Sequence, residues 1–251
     1  MHESLESDTY GPYAAIYNRT WGPKLVDMVV PALEKLLLPH LPPGAAILDL
    51  CCGSGQITEA LSARGFAMTG IDISAEMIDL AHRNAPSCHF LVGDARSFEL
   101  PTAFAGVIST QDSMNHIVRI EDLSATFENV HRALRPGGLF VFDVLLGDLY
   151  HPEPQSLGVK VEEDYVMIDR ESFDAGQHLL RGDTTIFYLV EGREGWRRCD
   201  SVGWEKFYTA AELESALHAA GFTDIKMYDR ARDLGLAGST RTFVVALRPA
   251  G

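Results

Sequence analysis

Between residues 45 and 145, short apolar runs alternate with stretches of helical periodicity, and this alternation most constrains the fold. The apolar runs predict five strands: Ala46–Leu50, Ala67–Asp72, Cys88–Val92, Gly106–Ser109 and Gly138–Val144. The stretches between them predict three helices: Gln56–Arg64, Ala75–Asn84 and Leu123–Leu134. Strands that alternate with helices form parallel sheets covered on both faces, so we expect an α/β core.

The segments that flank this core have a different character. Tyr13, Tyr17 and Trp21 are spaced by four, so they would share one face of an N-terminal helix. These aromatic side chains could pack against the core or form a lid over the cofactor, and both interpretations stay open. Residues 150–208 are β-rich, with turn signals at Asp174–Gly176 and Glu191–Gly195, and predict an inserted antiparallel sheet. We therefore divide the chain into a helical lid (1–44), a core (45–149), an insert over the substrate site (150–208) and a closing segment (209–251).

The stretch Ile47–Gln56 predicts a buried strand that runs into a glycine-bearing turn and a helix. Gly53 and Gly55 let the backbone approach a ligand closely, and a helix N-terminus offers free amides. A dinucleotide fingerprint would need a third glycine, but Thr58 stands at that position. Asp49 would repel a pyrophosphate and attract an ammonium group. The pattern therefore disfavours NAD, although an NAD-dependent oxidoreductase remains the rival enzyme class.

Two further carboxylates follow the next strands. Asp72 ends the second strand, 17 residues beyond Gly55, where a carboxylate accepts hydrogen bonds from ribose hydroxyls. Asp94 follows the third strand, from which it would reach an adenine amino group. An ammonium site, a ribose site and an adenine site in this order describe S-adenosylmethionine (SAM).

At this point the sequence resembles the class I SAM-dependent methyltransferases. The stretches that carry the resemblance are Leu48–Gly55, Gly70–Ile78, Gly93–Arg96, Thr110–Ile117 and Arg132–Leu139. The resemblance implies a Rossmann-like sheet of seven strands with the last strand antiparallel and helices on both faces. It also implies SAM as cofactor and S-adenosylhomocysteine as product, with direct displacement at the methyl carbon.

The resemblance assigns roles to individual residues in the cofactor site. Asp49 and the Cys51–Gly55 turn would hold the methionine moiety, although Cys51 replaces a more usual glycine. The resemblance also implies cofactor contacts from Asp72, Ile73, Met77, Asp94, Ala95, Thr110 and Gln111. Tyr17 and Trp21 of the aromatic lid are further predicted cofactor residues.

A narrower resemblance is to small-molecule methyltransferases that have an aromatic N-terminal helix and an inserted sheet, such as glycine N-methyltransferase and amino-sugar N,N-dimethyltransferases. It predicts a small metabolite with an amine or hydroxyl acceptor. His116 is the candidate catalytic base or substrate ligand, because a hydroxyl acceptor needs a base. The candidate substrate residues are Tyr13, Asp112, Asn115 and Trp204.

Charge and cysteine usage narrow the function classes. The formal net charge of −14 disfavours nucleic acid and anionic lipid surfaces. The four cysteines lack metal-ligand spacing, so no metal is expected. The first eight residues lack the regions of a signal peptide and no apolar run spans a bilayer, which predicts a cytoplasmic protein. A homodimer and a non-catalytic SAM-binding protein both remain open.

Overall fold

The computed structural model describes residues 10–190, 195–238 and 240–250. These residues form two sheets and six α-helices. The helices are α1 Tyr10–Thr20, α2 Gly22–Leu36, α3 Gln56–Ser62, α4 Ala75–Asn84, α5 Ile120–Ala133 and α6 Ala210–Ala219. The strands are β1 Ala46–Leu50, β2 Ala67–Asp72, β3 His89–Val92, β4 Phe104–Ser109, β5 Leu134–Val144, β6 Gln155–Val161, β7 Tyr165–Asp174, β8 Leu179–Leu189, β9 Trp196–Lys206, β10 Thr223–Asp229 and β11 Thr242–Leu247. Short 3₁₀ turns cover Leu38–His40 and Ser113–His116.

The larger sheet has seven strands in the order β10-β11-β5-β4-β1-β2-β3, which confirms the predicted core. Strand β11 runs antiparallel to both of its neighbours, whereas the strands from β5 to β3 are parallel. Every residue of β4 is buried, as expected for a strand covered on both faces. The strand order reverses between β4 and β1, and ligands of such sheets bind beyond the carboxyl ends of the strands at that point.

The ends of several elements differ from the prediction by a few residues. Strand β5 begins at Leu134, four residues before the predicted strand Gly138–Val144. Leu134 pairs with Phe104 of β4 before a register shift, and this irregular pairing extends both strands toward their N-termini. Helix α5 begins at Ile120, earlier than the apolar periodicity indicates.

The second sheet is a four-stranded antiparallel meander in the order β6-β7-β8-β9. The predicted turn after β7 is confirmed, since Asp174 Oδ1 accepts hydrogen bonds from the backbone N–H groups of Gly176 and Gln177. The other predicted turn, Glu191–Gly195, lies mostly outside the described residues.

One face of this sheet, here called its inner face, packs against α1 and the core. Tyr165, Met167 and Ile186 are buried with Ile16 of α1. Leu180, which lies on the same face of β8 as Ile186, packs with Leu145 beyond the end of β5. Side chains alternate between the two faces of a strand, so the register of the sheet decides which insert residues can reach the core.

The N-terminal segment forms two helices rather than one continuous helix, because the chain turns at Trp21. Helix α1 lies between the insert and the core. Arg19 donates two hydrogen bonds to Asp164 of the insert, at 2.6 and 3.0 Å. Near the other end of the chain, Thr209 and Glu212 form the expected capping box at the start of α6.

In the ranges that the structure covers, no helix combines the length and the apolar character needed to cross a membrane. The N-terminal stretch on which the signal-peptide argument depends lies outside those ranges.

Candidate functional site

The turn after β1 has the backbone geometry that close ligand approach requires. Gly53 and Gly55 have φ angles of +52° and +82°. A side chain at Gly55 would also bring its Cβ to 3.0 Å from Cβ of Ala81. Cys51 adopts the same left-handed region, with φ of 60°, although it is not a glycine. The turn thus keeps the backbone path of a glycine at position 51 at some conformational cost.

In the part of the chain that the structure describes, no cationic side chain pairs with the buried carboxyl group of Asp49. It is 1% exposed, and its Oδ2 accepts a hydrogen bond of 2.6 Å from Thr58 Oγ1. The pKa of Asp49 is raised to about 7, mainly by burial; the hydrogen bond from Thr58 opposes this shift and the nearby Asp72 adds to it. A buried carboxyl of this kind gains from a positive ligand group. Thr58, which breaks the dinucleotide fingerprint, is the residue that orients it.

Asp72 lies beside the same turn. Its Oδ2 accepts a hydrogen bond of 2.8 Å from the Gly53 N–H, and its Oδ1 accepts one of 2.9 Å from the Ser74 N–H. Burial raises the pKa of Asp72, while these amides counteract the shift. A carboxylate oxygen that accepts one hydrogen bond can accept a second from a ligand hydroxyl. Of the nearby predicted residues, Met77 is buried and Ile73 is 55% exposed.

Asp94 is engaged by Arg96, a partner that the sequence reasoning did not assign. The guanidinium group of Arg96 lies 2.6 Å from Asp94 Oδ2 and, with the Arg96 N–H, lowers the pKa of Asp94. Ala95 is buried, and its carbonyl accepts a hydrogen bond of 3.2 Å from Asn129 Nδ2. Asp94 is therefore a fixed anion at the edge beyond β3.

Asp143 and Arg241 hold the loop after β4 in an unusual conformation, and neither residue was predicted from the sequence. Gln111 and Asp112 both have positive φ, at 61° and 50°. Asp143, at the end of β5, accepts a hydrogen bond of 2.7 Å from the Gln111 N–H. Arg241 Nη1 lies 2.8 Å from Asp112 Oδ1 and 2.8 Å from Asp143 Oδ2. A single charged residue in the apolar run 139–146 was the available signal for Asp143.

Tyr17 faces this group of carboxylates. Burial raises the pKa of Tyr17 well above its usual value, and Tyr13, Asp72, Asp112 and Asp49 add to the shift. Its ring lies 6.0 Å from that of Tyr13. Both tyrosines thus lie close to the carboxyl ends of the parallel strands.

A set of side-chain amides fixes α1 over the glycine turn. Asn18 Oδ1 accepts hydrogen bonds of 2.7 Å from Gln56 Nε2 and from Asn84 Nδ2. Asn84 Nδ2 also donates to the Ser54 carbonyl, at 2.7 Å. Because these bonds join α1, α3 and α4, the lid helix is part of the site's wall.

Trp21 does not share the buried face that its spacing predicts. The chain turns at this residue, the side chain is 45% exposed, and Lys24 Nζ lies 5.3 Å from the centre of its ring. Trp21 lies between the end of α1 and the start of α2. Its role as a cofactor residue stays a prediction from the sequence.

Asn115 is a structural residue rather than a substrate ligand. It is 0% exposed, and its Nδ2 donates to the carbonyls of Leu145 and Lys206, at 3.0 and 2.8 Å. Its Oδ1 accepts a hydrogen bond of 3.0 Å from the Leu145 N–H. The side-chain amide of Asn115 therefore connects the core to the end of β9, and its polar atoms hydrogen-bond to backbone groups.

His116 lies beside a carboxylate that comes from the insert. Its Nε2 is 4.0 Å from Oε1 of Glu205, and the two side chains are 55% and 23% exposed. Burial raises the pKa of Glu205, as do Asp112 and Glu171, whereas His116 and Arg241 lower it. Glu205 was not predicted, because nothing in the sequence of β9 distinguishes it from a solvated acid.

Trp204 lies on the other face of the same strand. It pairs with Arg181 of β8, whose guanidinium group is 5.7 Å from the centre of the indole ring. Residues 204 and 205 project to opposite faces, and the face of Glu205 is the inner one. The structure therefore does not support the predicted substrate contact of Trp204.

Comparisons with known proteins agree with this geometry. A family model described as a methyltransferase domain matches residues 47–138. The chain is 29% identical over 221 residues to "Putative methyltransferase YqeM" of Bacillus subtilis, covering 85% of this chain and 86% of that protein. It is 27% identical over 226 residues to dTDP-3-amino-3,4,6-trideoxy-alpha-D-glucopyranose N,N-dimethyltransferase of Streptomyces venezuelae, covering 88% and 91%.

A solved structure extends the likeness to the fold. The crystal structure of a SAM-dependent methyltransferase from Clostridium acetobutylicum superposes with a TM-score of 0.73 at 20% identity. The match covers 96% of this chain and 99% of that one, so it includes the insert as well as the core.

Proposed function

We propose that this chain, a SAM-dependent methyltransferase, methylates the amino group of a small molecule. Nucleotide-linked amino sugars are the acceptor class that we propose to test first. The relative from Streptomyces venezuelae, which is named for such an acceptor, aligns over 88% of this chain and therefore beyond the core.

The residues around the glycine turn fit the cofactor. Asp49 is a buried carboxyl group suited to the ammonium group, and the carboxylate of Asp72 is suited to the ribose hydroxyls. At the base end, the proposed contacts are Met77, Asp94 and Ala95. At the sulfonium end they are Cys51, Thr110, Gln111 and Tyr17. Among the described residues, Gln111 Nε2 is a buried donor without a partner, which supports a ligand contact. When bound, SAM supplies a methyl group activated by a positive sulfur.

The observation that carries the proposal of an amine is the charge around His116. Asp112 and Glu171 lie close enough to Glu205 to raise its pKa, and the neighbouring Arg241 is already bound to Asp112 and Asp143. Carboxylates therefore outnumber the guanidinium group next to the loop that carries Thr110 and Gln111. Such a surrounding favours a cationic acceptor over a neutral or anionic one.

The lid and the insert supply placement and exclusion of water. Helix α1 is joined to the glycine turn through Asn18 and to the insert through Arg19 and Ile16. Asn115 fixes the end of β9 to the core. Holding two reactants in line in a water-poor site supplies much of the rate of a direct displacement.

The test is formation of S-adenosylhomocysteine from SAM with dTDP-3-amino-3,4,6-trideoxy-alpha-D-glucopyranose, its 3-hydroxy analogue and a panel of simple amines. We expect product with at least one amine and none with the hydroxyl analogue. Product with hydroxyl acceptors alone would overturn the amine assignment and favour His116 as a base. SAM binding without any turnover would favour a non-catalytic SAM-binding protein.

A homodimer and a cytoplasmic location stay predictions from the sequence.

A further inference from the structure

Glu205 is placed at the acceptor side of the site by the register of the insert. On the inner face of β7, β8 and β9, one row across the sheet consists of Phe173, Leu180 and Glu205. Leu180 and Phe173 pack with Leu145, beyond the end of β5. Glu205 therefore projects toward the core's carboxyl edge, where His116 Nε2 lies 4.0 Å from its Oε1.

The neighbouring row leaves open space beside this carboxylate. It consists of Glu171, Gly182 and Gly203. A Cβ atom added to Gly182 or Gly203 would meet no atom within 4 Å. Two adjacent positions without side chains thus leave the inner face open beside Glu171 and Glu205.

The charged and titratable groups that face Glu205 come from every element packed around it. They are His116 and Asp112 from the loop after β4, Glu171 from β7 and Arg241 from the segment before β11. Tyr150, from the connection between β5 and β6, responds to the same carboxylates. Arg241 forms ion pairs with Asp112 and Asp143, and among the described residues His116 is the one group within ion-pair distance of Glu205.

We propose that Glu205 is a substrate-binding and catalytic residue that accepts the ammonium group of the acceptor and removes its proton before methyl transfer. This inference rests on the proposed function. A protonated amine, R–NH₃⁺, is attracted to the carboxylate and gives it one proton, which leaves R–NH₂ and a carboxylic acid. The nitrogen lone pair then forms the N–C bond while the S–C bond breaks, and that electron pair stays on sulfur. Glu205 afterwards returns its proton to solvent, with His116 as the adjacent acceptor.

The experiment compares Glu205→Gln with the wild type on two measurements, both with dTDP-3-amino-3,4,6-trideoxy-alpha-D-glucopyranose as the probe. The first is calorimetric binding of the probe to the protein loaded with S-adenosylhomocysteine, where we expect at least a tenfold loss of affinity. The second is kcat/KM as a function of pH, where we expect at least a tenfold loss and the disappearance of the acid limb that Glu205 contributes. Affinity for S-adenosylhomocysteine itself should not change.

Two further variants keep the test decisive. Glu163→Gln removes the same charge from an exposed position in the hairpin between β6 and β7, and should leave both measurements unchanged. Glu205→Asp keeps the charge and should recover part of the loss. If Glu205→Gln is destabilised, the comparison is made between Glu205→Asp and Glu163→Gln below the thermal midpoint of each.

The outcomes separate the two proposals. If the wild type turns over no amine, the proposed function fails and the role of Glu205 falls with it. If the wild type methylates the probe and Glu205→Gln retains affinity and kcat/KM within twofold, the role of Glu205 alone is wrong.

Discussion

The carboxyl edge of the parallel sheet and the inner face of the four-stranded sheet place acidic side chains in different ways. At the core edge, Asp49, Asp72 and Asp143 are fixed at or near strand ends by backbone amides or buried partners. On the insert, Glu171 and Glu205 lie within strands, and only the face to which they project brings them toward the core.

This difference shows two ways of building a site. Parallel strands bring their carboxyl ends to one edge of the sheet, so residues at those ends lie around a ligand that binds there. This placement depends little on the other side chains of the strands. An antiparallel sheet contributes through alternation, so a shift of one residue would exchange Glu205 for Trp204. We therefore expect the core to decide how the cofactor is held and the insert to decide which acceptor is accepted.

The largest effect should come from removing the buried cation at the core edge. Arg241→Ala leaves Asp112 and Asp143 without their shared guanidinium group, which should lower the free energy of unfolding by about 3–5 kcal/mol. Urea unfolding followed by circular dichroism measures the change. The matched control is Arg19→Ala, which removes an arginine with a similarly short carboxylate contact, but at the exposed junction of α1 and the insert. Its effect should be small, because water screens exposed ion pairs; equal losses would remove the contrast between the two regions.

An intermediate effect should appear in the pH dependence of cofactor binding. Asp49 has a pKa raised to about 7 by burial, so it is largely protonated at pH 6 in the free protein. A bound ammonium group favours the carboxylate, so binding releases a proton and affinity rises with pH. Affinity for S-adenosylhomocysteine, measured by calorimetry, should be about tenfold higher at pH 8 than at pH 6.

The control for this prediction is Asp49→Asn, which keeps the shape of the side chain and removes its titration. Its affinity should be lower at pH 8, and it should lose the tenfold difference between the two pH values. A pH dependence that persists unchanged in Asp49→Asn would assign the titration to another group.

The smallest effect should come from the outer face of the insert. Trp204→Ala removes a large side chain that stacks with Arg181 on the face opposite Glu205. We expect kcat/KM for an amine acceptor to stay within about twofold of the wild type, in contrast to the loss in Glu205→Gln. Steady-state kinetics on the two neighbouring variants measures this contrast directly. A tenfold loss in Trp204→Ala would show that both faces of β9 serve the acceptor.

The cofactor half of the site was accessible from the sequence. Asp49 and Asp72 follow from their places at the ends of apolar runs, and the structure brings them together around Gly53. Asp143 carried a usable signal, as a lone charge in an apolar run. Arg241 carried none for its role, because its partners lie 98 and 129 residues away in the chain.

The acceptor half could be predicted only in outline. Asn115 looked suited to substrate binding, but its amide satisfies backbone groups of two separate segments, and sequence spacing does not reveal such a contact. Trp204 was the residue predicted from the sequence, and only the pairing of β8 with β9 shows that the neighbouring Glu205 faces the core instead.

The sequence by itself determined the alternating strands and helices of the core, the presence of an antiparallel insert and the positions of the strand-end acids, because local periodicity and strand-end chemistry depend on neighbouring residues. Only the tertiary structure decided where α1 ends and α2 begins, which insert face meets the core and how Arg241 joins Asp112 to the buried Asp143. These features depend on contacts between segments far apart in the chain, which local patterns do not encode.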